Sequence, residues 1–113
     1  MGVPAYTDRG FSATAERIDD QVVVQIAGEI DIATCDQLRD VITPHLGPQQ
    51  TMVFDLAAVT FMDSCFVHVM EDAHQALLAD GGSLLLRNPS PAARRLLTLV
   101  GAEQFLDGMP KHA

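Results

Sequence analysis

The spacing of hydrophobic residues changes several times along the chain, and each change marks an element of secondary structure. Residues 11–17 alternate loosely between apolar and polar side chains, as an edge strand does. Residues 22–27 (VVVQIA) are β-branched and nearly all apolar, which predicts a strand covered on both faces. Residues 51–56 (TMVFDL) predict a second buried strand, residues 83–86 (SLLL) a third, and residues 104–106 a short last one.

Between these strands the apolar residues recur at intervals of three and four, the period of an amphipathic helix. The pattern predicts helices over about residues 33–46, 64–79 and 90–100. Gly-Pro ends the first of them, and Asp-Gly-Gly ends the second with residues that tolerate a positive φ. In the second helix, the side chains predicted to face the core are Val67, Met70, Ala73, Leu77 and Leu78.

The elements therefore follow the order β-β-α-β-α-β-α-β. This order predicts an α/β domain with a mostly parallel sheet of four to five strands flanked by helices, because strand–helix–strand units cross over to parallel strands. The domain is expected to span residues 11–107, with residues 1–10 and 108–113 as tails. In such sheets functional groups gather beyond the carboxyl ends of the strands, which here are residues 28–31 and 60–64.

Composition and charge exclude several classes of function. The chain has 7 Lys+Arg against 15 Asp+Glu and a net charge of −8, which argues against binding nucleic acid or an anionic membrane. No apolar run is long enough to span a membrane, and the N-terminus does not have the pattern of a signal peptide. Two cysteines do not make a disulfide framework or a zinc site. We expect a cytoplasmic protein without a metal or another cofactor.

Ser64 is the sharpest candidate for chemistry. Because it directly precedes a predicted helix, its hydroxyl is expected to cap a free backbone N–H, to accept a phosphate, or to do both in turn. Asp31 and Asp63 follow neighbouring strands, either as capping groups or as carboxylates that orient the hydroxyl and repel its phosphate. His68 lies on the same helix face as Ser64 rather than across a cleft, so a Ser-His-Asp hydrolase is not predicted and neither is any other enzyme.

Cys35 and Cys65 both follow strand-to-helix loops at the same end of the predicted sheet. They are either two unpaired thiols or a redox-sensitive pair, since a thiol near a helix N-terminus ionises more readily. A disulfide needs Cα atoms within about 7 Å. Adjacent strands satisfy this, but Cys35 lies inside its helix, which widens the gap.

Three segments resemble the motifs of STAS domains. G-E-I-D at residues 28–31 resembles the family's G-E-I-D or G-E-L-D. F-D-L-A-A-V-T-F-M-D-S at residues 54–64 resembles its D-L-x-x-V-x-F-M-D-S, and residues 88–101 (NPSPAARRLLTLVG) also fit. The resemblance covers about residues 12–107 and is strongest to the free-standing, SpoIIAA-like anti-sigma factor antagonists of bacteria.

The resemblance implies a function. Such proteins bind an anti-sigma factor that is also a serine kinase of the GHKL ATPase type, and so regulate transcription indirectly. Phosphorylation of the motif serine breaks the complex, and a phosphatase resets it. Ser64 matches that serine, and the free protein is expected to be a monomer. The partner-binding residues expected around it are Glu29, Asp31, Met62, Asp63, Ser64, Cys65 and Phe66.

The chain departs from the family motif directly after the serine. Cys65 and Phe66 stand where the family has Ser or Thr and then Gly, and His68 where it has a later Gly. Phe66 is expected either to anchor a partner as an exposed side chain or to turn inward against the sheet. These departures leave a second function open: an interaction or sensor module that does not respond to a kinase and is constitutive or redox-gated.

Overall fold

The computed structural model of the protein describes residues 6–8 and 10–106. Across these residues it has one mixed sheet whose five strands lie side by side in chain order. The first three strands are antiparallel, whereas the third, fourth and fifth are parallel. The strands are β1 (Tyr6–Asp8), β2 (Phe11–Ile18), β3 (Gln21–Ile30), β4 (Thr51–Met62) and β5 (Ser83–Arg87), and the helices are α1 (Ile32–Ile42), α2 (Cys65–Ala79) and α3 (Pro91–Val100).

The predicted α/β class and the alternation of strands and helices are confirmed, but both edges of the sheet differ from expectation. Residues 6–8, expected to belong to a tail, pair with β2 as a strand. The expected last strand is instead a 3₁₀ turn (Glu103–Phe105), after which Leu106 forms a parallel bridge to Leu86. The sheet is mixed, because β3, β4, β5 and the Leu106 bridge pair in parallel while β1, β2 and β3 pair antiparallel. Residues 1–5, 9 and 107–113, with most of both expected tails, lie outside the described residues.

The core lies between the sheet and the three helices, with Ala93 and Leu97 as the buried side chains of α3. In β2 alternate side chains are buried, while Ser12 and Thr14 between them are half-exposed, which fits a strand with one face on the core. The start of β3 is buried on both faces as predicted, but Gln25 is exposed, so the second face is covered over only part of the strand. The buried residues of these two strands are Phe11, Ala13, Ala15, Val22, Val23, Val24, Ile26 and Ile30.

The strand β4 is longer than predicted and irregular. It continues six residues beyond the predicted end, and its register with β3 shifts twice, once after Gln25 and once after Gly28. At the first irregularity the carbonyl of Leu56 accepts a hydrogen bond from the N–H of Ser90, at 3.1 Å. This bond ties the start of α3 to the bulged strand. Bulges of this kind bend a strand and redirect the side chains that follow.

Both α1 and α2 depart from the predicted helices in ways that local chemistry explains. The helix α1 ends at residue 42 and is followed by a 3₁₀ turn, because Pro44 has no N–H to continue the α-helical ladder. The core face of α2 includes Met70, Ala73 and Leu77 as predicted, but it is rotated toward Phe66 and Val69. As a result Val67 is only half-buried and Leu78 is exposed. The buried side chains of α2 are Phe66, Val69, Met70, Ala73 and Leu77.

Candidate partner-binding site

Two strand-to-helix junctions lie side by side at the carboxyl ends of β3 and β4. The first junction is residues 28–31, and the second is residues 60–64. The last residues of the two strands, Ile30 and Met62, are register partners. One step further, the N–H of Asp63 donates to the carbonyl of Ile30 at 2.8 Å. The two junctions are therefore held side by side by backbone pairing.

Gly28 sets the shape of the first junction. Its φ is +89°, in the left-handed region that favours glycine. A Cβ at this position would lie 1.5 Å from the carbonyl oxygen of Gly10, the same oxygen that accepts a hydrogen bond from Glu29 N–H at 2.9 Å. The close approach of the two backbones is thus possible because residue 28 has no side chain.

Asp31 caps α1 through a reciprocal pair of hydrogen bonds. Its carboxylate accepts from the N–H of Thr34 at 3.0 Å, and its own N–H donates to the Thr34 hydroxyl oxygen at 2.8 Å. The Thr34 hydroxyl also lies 3.0 Å from the carbonyl of Glu29, to which it donates. Sequence reasoning missed Thr34, because the pair reverses the usual capping-box signal, in which Ser or Thr is followed three positions later by Glu or Gln.

At the second junction the cap is Asp63 rather than Ser64. Ser64 has helical backbone angles, φ −61° and ψ −17°, and its side chain makes no capping bond. The carboxylate of Asp63 accepts from the N–H of Cys65 at 3.3 Å, and the Ser64 hydroxyl donates to the same oxygen at 3.2 Å. The expectation that Ser64 caps α2 is wrong. Its hydroxyl is instead exposed and oriented by a carboxylate.

This arrangement predicts unequal effects of two alanine substitutions on stability. Ser64→Ala should change the free energy of unfolding by less than about 0.5 kcal/mol, because it removes an exposed side chain. Asp63→Ala should cost about 1 kcal/mol, because it removes the cap. Urea denaturation of both variants measures the difference. A loss from Ser64→Ala as large as that from Asp63→Ala would show that the hydroxyl carries the cap after all.

The side chains expected to bind a partner divide into an exposed and a buried group. Glu29 and Ser64 are exposed, while Asp31, Asp63 and Cys65 are half-exposed. Met62 and Phe66 are buried. Phe66 is therefore out of a partner's reach, whereas Met62 lines a groove between β4 and α3.

The expected role of Phe66 as an exposed anchor is wrong. The side chain is 0% exposed, and its ring packs edge-to-face on Phe54 with the centroids 5.9 Å apart. The inward alternative holds because a large apolar ring is more stable in the core than in water. An inward aromatic on the first turn of α2 leaves the surface beside Ser64 free.

Two apolar side chains that sequence reasoning missed are exposed at the junctions. Ile32, the first residue of α1, is 76% exposed, and Phe61 of β4 is 49% exposed. Ile32 does not fit the spacing of the buried side chains of α1, and this was the sequence signal for its exposure. The sequence carries no such signal for Phe61, because the bulges of β4 decide which way its side chain points. Apolar side chains among carboxylates suit a protein-binding surface.

A shallow groove continues this surface between β4 and α3. Its volume is about 260 Å³, and its rim includes the exposed side chains of Phe61, Arg95 and Leu99. Arg94, which precedes Arg95 on α3, is exposed as well. The groove shares Thr60, Phe61 and Met62 with the second junction.

Cys35 and Cys65 form a disulfide with Cα atoms 6.6 Å apart, so the alternative of two unpaired thiols is wrong. Cys35 is 5% exposed, while Cys65 is half-exposed at the start of α2. The extra turn into α1 does not put Cys35 out of reach, because α1 and α2 pack side by side. Further along them, Arg39 donates to Asp72 at 2.6 Å.

The described ranges contain neither a metal site nor a membrane-spanning helix. Across residues 6–8 and 10–106, no group of three or more His, Cys, Asp and Glu could hold a metal ion. In the same part of the chain, no helix has the length and apolar character needed to cross a membrane.

The fold and the site together define an α/β domain with an exposed serine at the capped start of α2. The chain belongs to the STAS domain family, whose profile matches residues 12–112. The resemblance drawn from the three motifs is confirmed.

Three known proteins show the likeness in detail. The chain is 30% identical over 89 residues to the anti-sigma-B factor antagonist of Bacillus subtilis (strain 168), covering 79% of this chain and 82% of that protein. It is 32% identical over 82 residues to the anti-sigma F factor antagonist of Lysinibacillus sphaericus, covering 71% and 70%. The structure of the anti-sigma factor antagonist SpoIIAA in its unphosphorylated form matches with a TM-score of 0.75 at 25% identity, covering 88% and 89%.

Proposed function

We propose that this protein is an anti-sigma factor antagonist that is switched by phosphorylation of Ser64. Its partner is an anti-sigma factor of the GHKL type that is also a serine kinase, and a phosphatase resets the switch. The protein acts in the cytoplasm, regulates transcription indirectly and has no catalytic activity of its own. The observation that carries the proposal is the exposed Ser64 hydroxyl, which donates to Asp63 at the position of the family's motif serine.

The partner surface consists of the two junctions and the apolar side chains beside them. Glu29 and Ser64 are exposed there. Ile32 and Phe61 are exposed as well, and they are the large apolar side chains that a partner would contact. Large apolar side chains in such a position supply binding energy, and the surrounding polar groups supply specificity.

Phosphate on Ser64 would change this surface through charge. It adds about −1.5 to −2 charges at pH 7. They would arise next to the Asp63 carboxylate, which lies 3.2 Å from the hydroxyl, on a chain whose net charge is already −8. The phosphate replaces a donor by acceptors, so the Ser64–Asp63 hydrogen bond is lost. A partner that had covered the neutral hydroxyl would then have to bury a dianion, which is costly.

The burial of Phe66 supports this proposal over a module that ignores the kinase. Phenylalanine in place of the family's glycine would obstruct a partner if it pointed outward. Since the ring packs on Phe54 inside the core, the departure from the motif leaves the approach to Ser64 open.

Charge substitution at Ser64 tests the proposal. Ser64→Glu should weaken binding of the anti-sigma factor about tenfold or more, a loss of about 1.4 kcal/mol or more. Ser64→Ala should bind about as tightly as the wild-type protein, since the neutral surface is kept. Isothermal titration with the purified anti-sigma factor of the same host measures both affinities.

A matched control separates local from overall charge. Ser83 is exposed at the start of β5, and the amino end of this parallel strand is opposite to the carboxyl ends that form the junctions. Ser83→Glu therefore adds the same charge away from the junctions. This variant should bind normally. Equal affinities of Ser64→Ala and Ser64→Glu would refute the phosphorylation switch.

A labelling experiment tests the kinase step directly. The anti-sigma factor kinase and ATP should transfer phosphate to the wild-type protein and not to Ser64→Ala. Binding of the kinase without any transfer of phosphate would instead favour the module that does not respond to a kinase.

A further inference from the structure

We propose that Cys35 and Cys65 form a reversible redox switch that restrains the Ser64 segment when oxidised and releases it when reduced. The disulfide joins the first turns of α1 and α2, across a sequence separation of 30 residues. At the strand ends, the two junctions are held together by backbone contacts alone: the register pairs Glu29–Phe61 and Ile30–Met62, and the hydrogen bond from Asp63 N–H to the carbonyl of Ile30. The disulfide adds a covalent tie at the helix starts.

The disulfide is attached directly to the functional segment. Cys65 follows Ser64 in sequence, and its N–H donates to the carboxylate oxygen that also accepts from the Ser64 hydroxyl. Any shift of Cys65 therefore changes the position of the Asp63 carboxylate and of the hydroxyl together. Cys35 lies on the other side of the bond, in a helix whose start is fixed by the Asp31–Thr34 capping box.

The exposure of the two sulfur-bearing residues assigns them different chemical roles. Cys65 is half-exposed, so a small oxidant reaches it, whereas Cys35 is buried in the core. Cys65 is also the first residue of α2, where the helix dipole favours the thiolate. We therefore assign Cys65 as the thiol that reacts with an oxidant and Cys35 as the thiol that resolves the product.

With hydrogen peroxide as the oxidant, the chemistry balances in two steps. The Cys65 thiolate attacks one peroxide oxygen, the O–O bond breaks, and the hydroxide that leaves takes a proton to give water and the Cys65 sulfenic acid. The Cys35 thiolate then attacks the Cys65 sulfur, the S–S bond forms, and the S–O bond breaks. The hydroxide released takes the proton that came from the Cys35 thiol and leaves as water. Two thiols lose two electrons, and one peroxide becomes two waters; a dithiol such as dithiothreitol reverses the change through a mixed disulfide.

Reduction should displace the first turn of α2 rather than α1. Two sulfur atoms that are no longer bonded must separate to van der Waals contact. Cys35 is enclosed by the core, and on the other side Phe66 is fixed by its packing on Phe54. The residues left to move are 63–65, which hold the Ser64 hydroxyl. This consequence for phosphorylation rests on the function proposed above: a kinase must draw the hydroxyl into its own active site, so oxidation should keep the protein unphosphorylated.

The first experiment uses the protein alone, oxidised with hydrogen peroxide or reduced with dithiothreitol. Alkylation and mass spectrometry should find both thiols free in the reduced monomer and none in the oxidised monomer. Hydrogen exchange of the amides at residues 65–67 should be about tenfold faster in the reduced form, while the amides of β3 stay equally protected. The melting temperature should fall by roughly 10 °C on reduction, because a closed loop of this length is opened.

The double variant C35S/C65S is the matched control. It should exchange like the reduced wild-type protein and should not respond to peroxide. Thiols that stay free under peroxide, disulfides that form only between chains, or equal exchange at residues 65–67 in the two forms would overturn the switch. None of these readouts involves a kinase, so the redox proposal and the phosphorylation proposal fail separately.

A second experiment tests the link to Ser64. With the anti-sigma factor kinase and ATP, the oxidised protein should be labelled about tenfold more slowly than the reduced protein, since misplacing a reacting group by about 1 Å can cost far more than that. The single variant C35S, which cannot form the disulfide and keeps Cys65 in place on the partner surface, should be labelled at the reduced rate under both conditions. Equal rates for the oxidised and reduced protein would overturn the claim that the disulfide governs Ser64.

Discussion

Replacing Phe66 by alanine is expected to lower the free energy of unfolding by about 3–5 kcal/mol. The ring is fully buried at the start of α2 and packs edge-to-face on Phe54, so its removal leaves a cavity between the helix and the sheet. For a domain of this size the melting temperature should fall by roughly 12 °C or more. Thermal and urea denaturation measure the loss.

The effect of Phe66→Ala on binding distinguishes a core residue from an anchor. Variant protein that is still folded at low temperature should bind the anti-sigma factor with nearly wild-type affinity. Phe61→Ala is the matched control, because Phe61 is a half-exposed phenylalanine at the same edge of the sheet. It should cost little stability and weaken binding. A Phe66→Ala variant of normal stability and poor affinity would contradict the inward packing.

The inward turn of Phe66 also shows what the sequence of α2 leaves undetermined. The apolar residues of this helix fill more than one face, and faces one residue apart differ by a rotation of about 100°. A face with Val67 and Leu78 and a face with Phe66 and Val69 both satisfy the helical period. Packing decides between them, because the larger aromatic ring is buried in full. Periodicity alone therefore predicted the helix but not whether the side chain of Phe66 points into the core.

Local chemistry was better predicted where a residue type has one strong preference. Gly101 ends α3 at the predicted position, because it adopts a positive φ of +72°. By contrast, α1 ends at residue 42, before its predicted end at about residue 46, because Pro44 lacks an N–H. The bulges of β4 carry no comparable signal, since they arise from the pairing of β4 with β3. Phe61 is exposed as a result of that pairing, and this is why half of the apolar surface beside Ser64 was not foreseen.

The sequence left the disulfide undecided and assigned the cap of α2 to the wrong residue for a related reason. Whether Ser64 or Asp63 caps the helix depends on which of two adjacent residues takes helical backbone angles, and the sequence is compatible with either. Whether Cys35 reaches Cys65 depends on how closely α1 and α2 pack, which is a tertiary property. In both cases the sequence identified the right group of residues but not the contacts within it.

Replacing Gly28 by alanine is expected to cost about 3 kcal/mol or more, from backbone strain together with overpacking. The added Cβ would lie 1.5 Å from the carbonyl oxygen of Gly10 and 2.5 Å from its carbonyl carbon, and no side-chain rotation relieves contact with backbone atoms. The β2 and β3 strands would have to separate at this point, which would break the hydrogen bond from Glu29 N–H to Gly10.

Gly101→Ala separates the two causes of this loss. Gly101 also has a positive φ, at +72°, but a Cβ there has nothing within 4 Å. Its substitution should therefore cost the conformational part alone, about 1 kcal/mol. Urea denaturation of the two variants gives the contribution of the close approach by difference. Equal losses would mean that the strands separate freely at Gly28, and that this glycine holds the first junction through its backbone angles rather than through contact with β2.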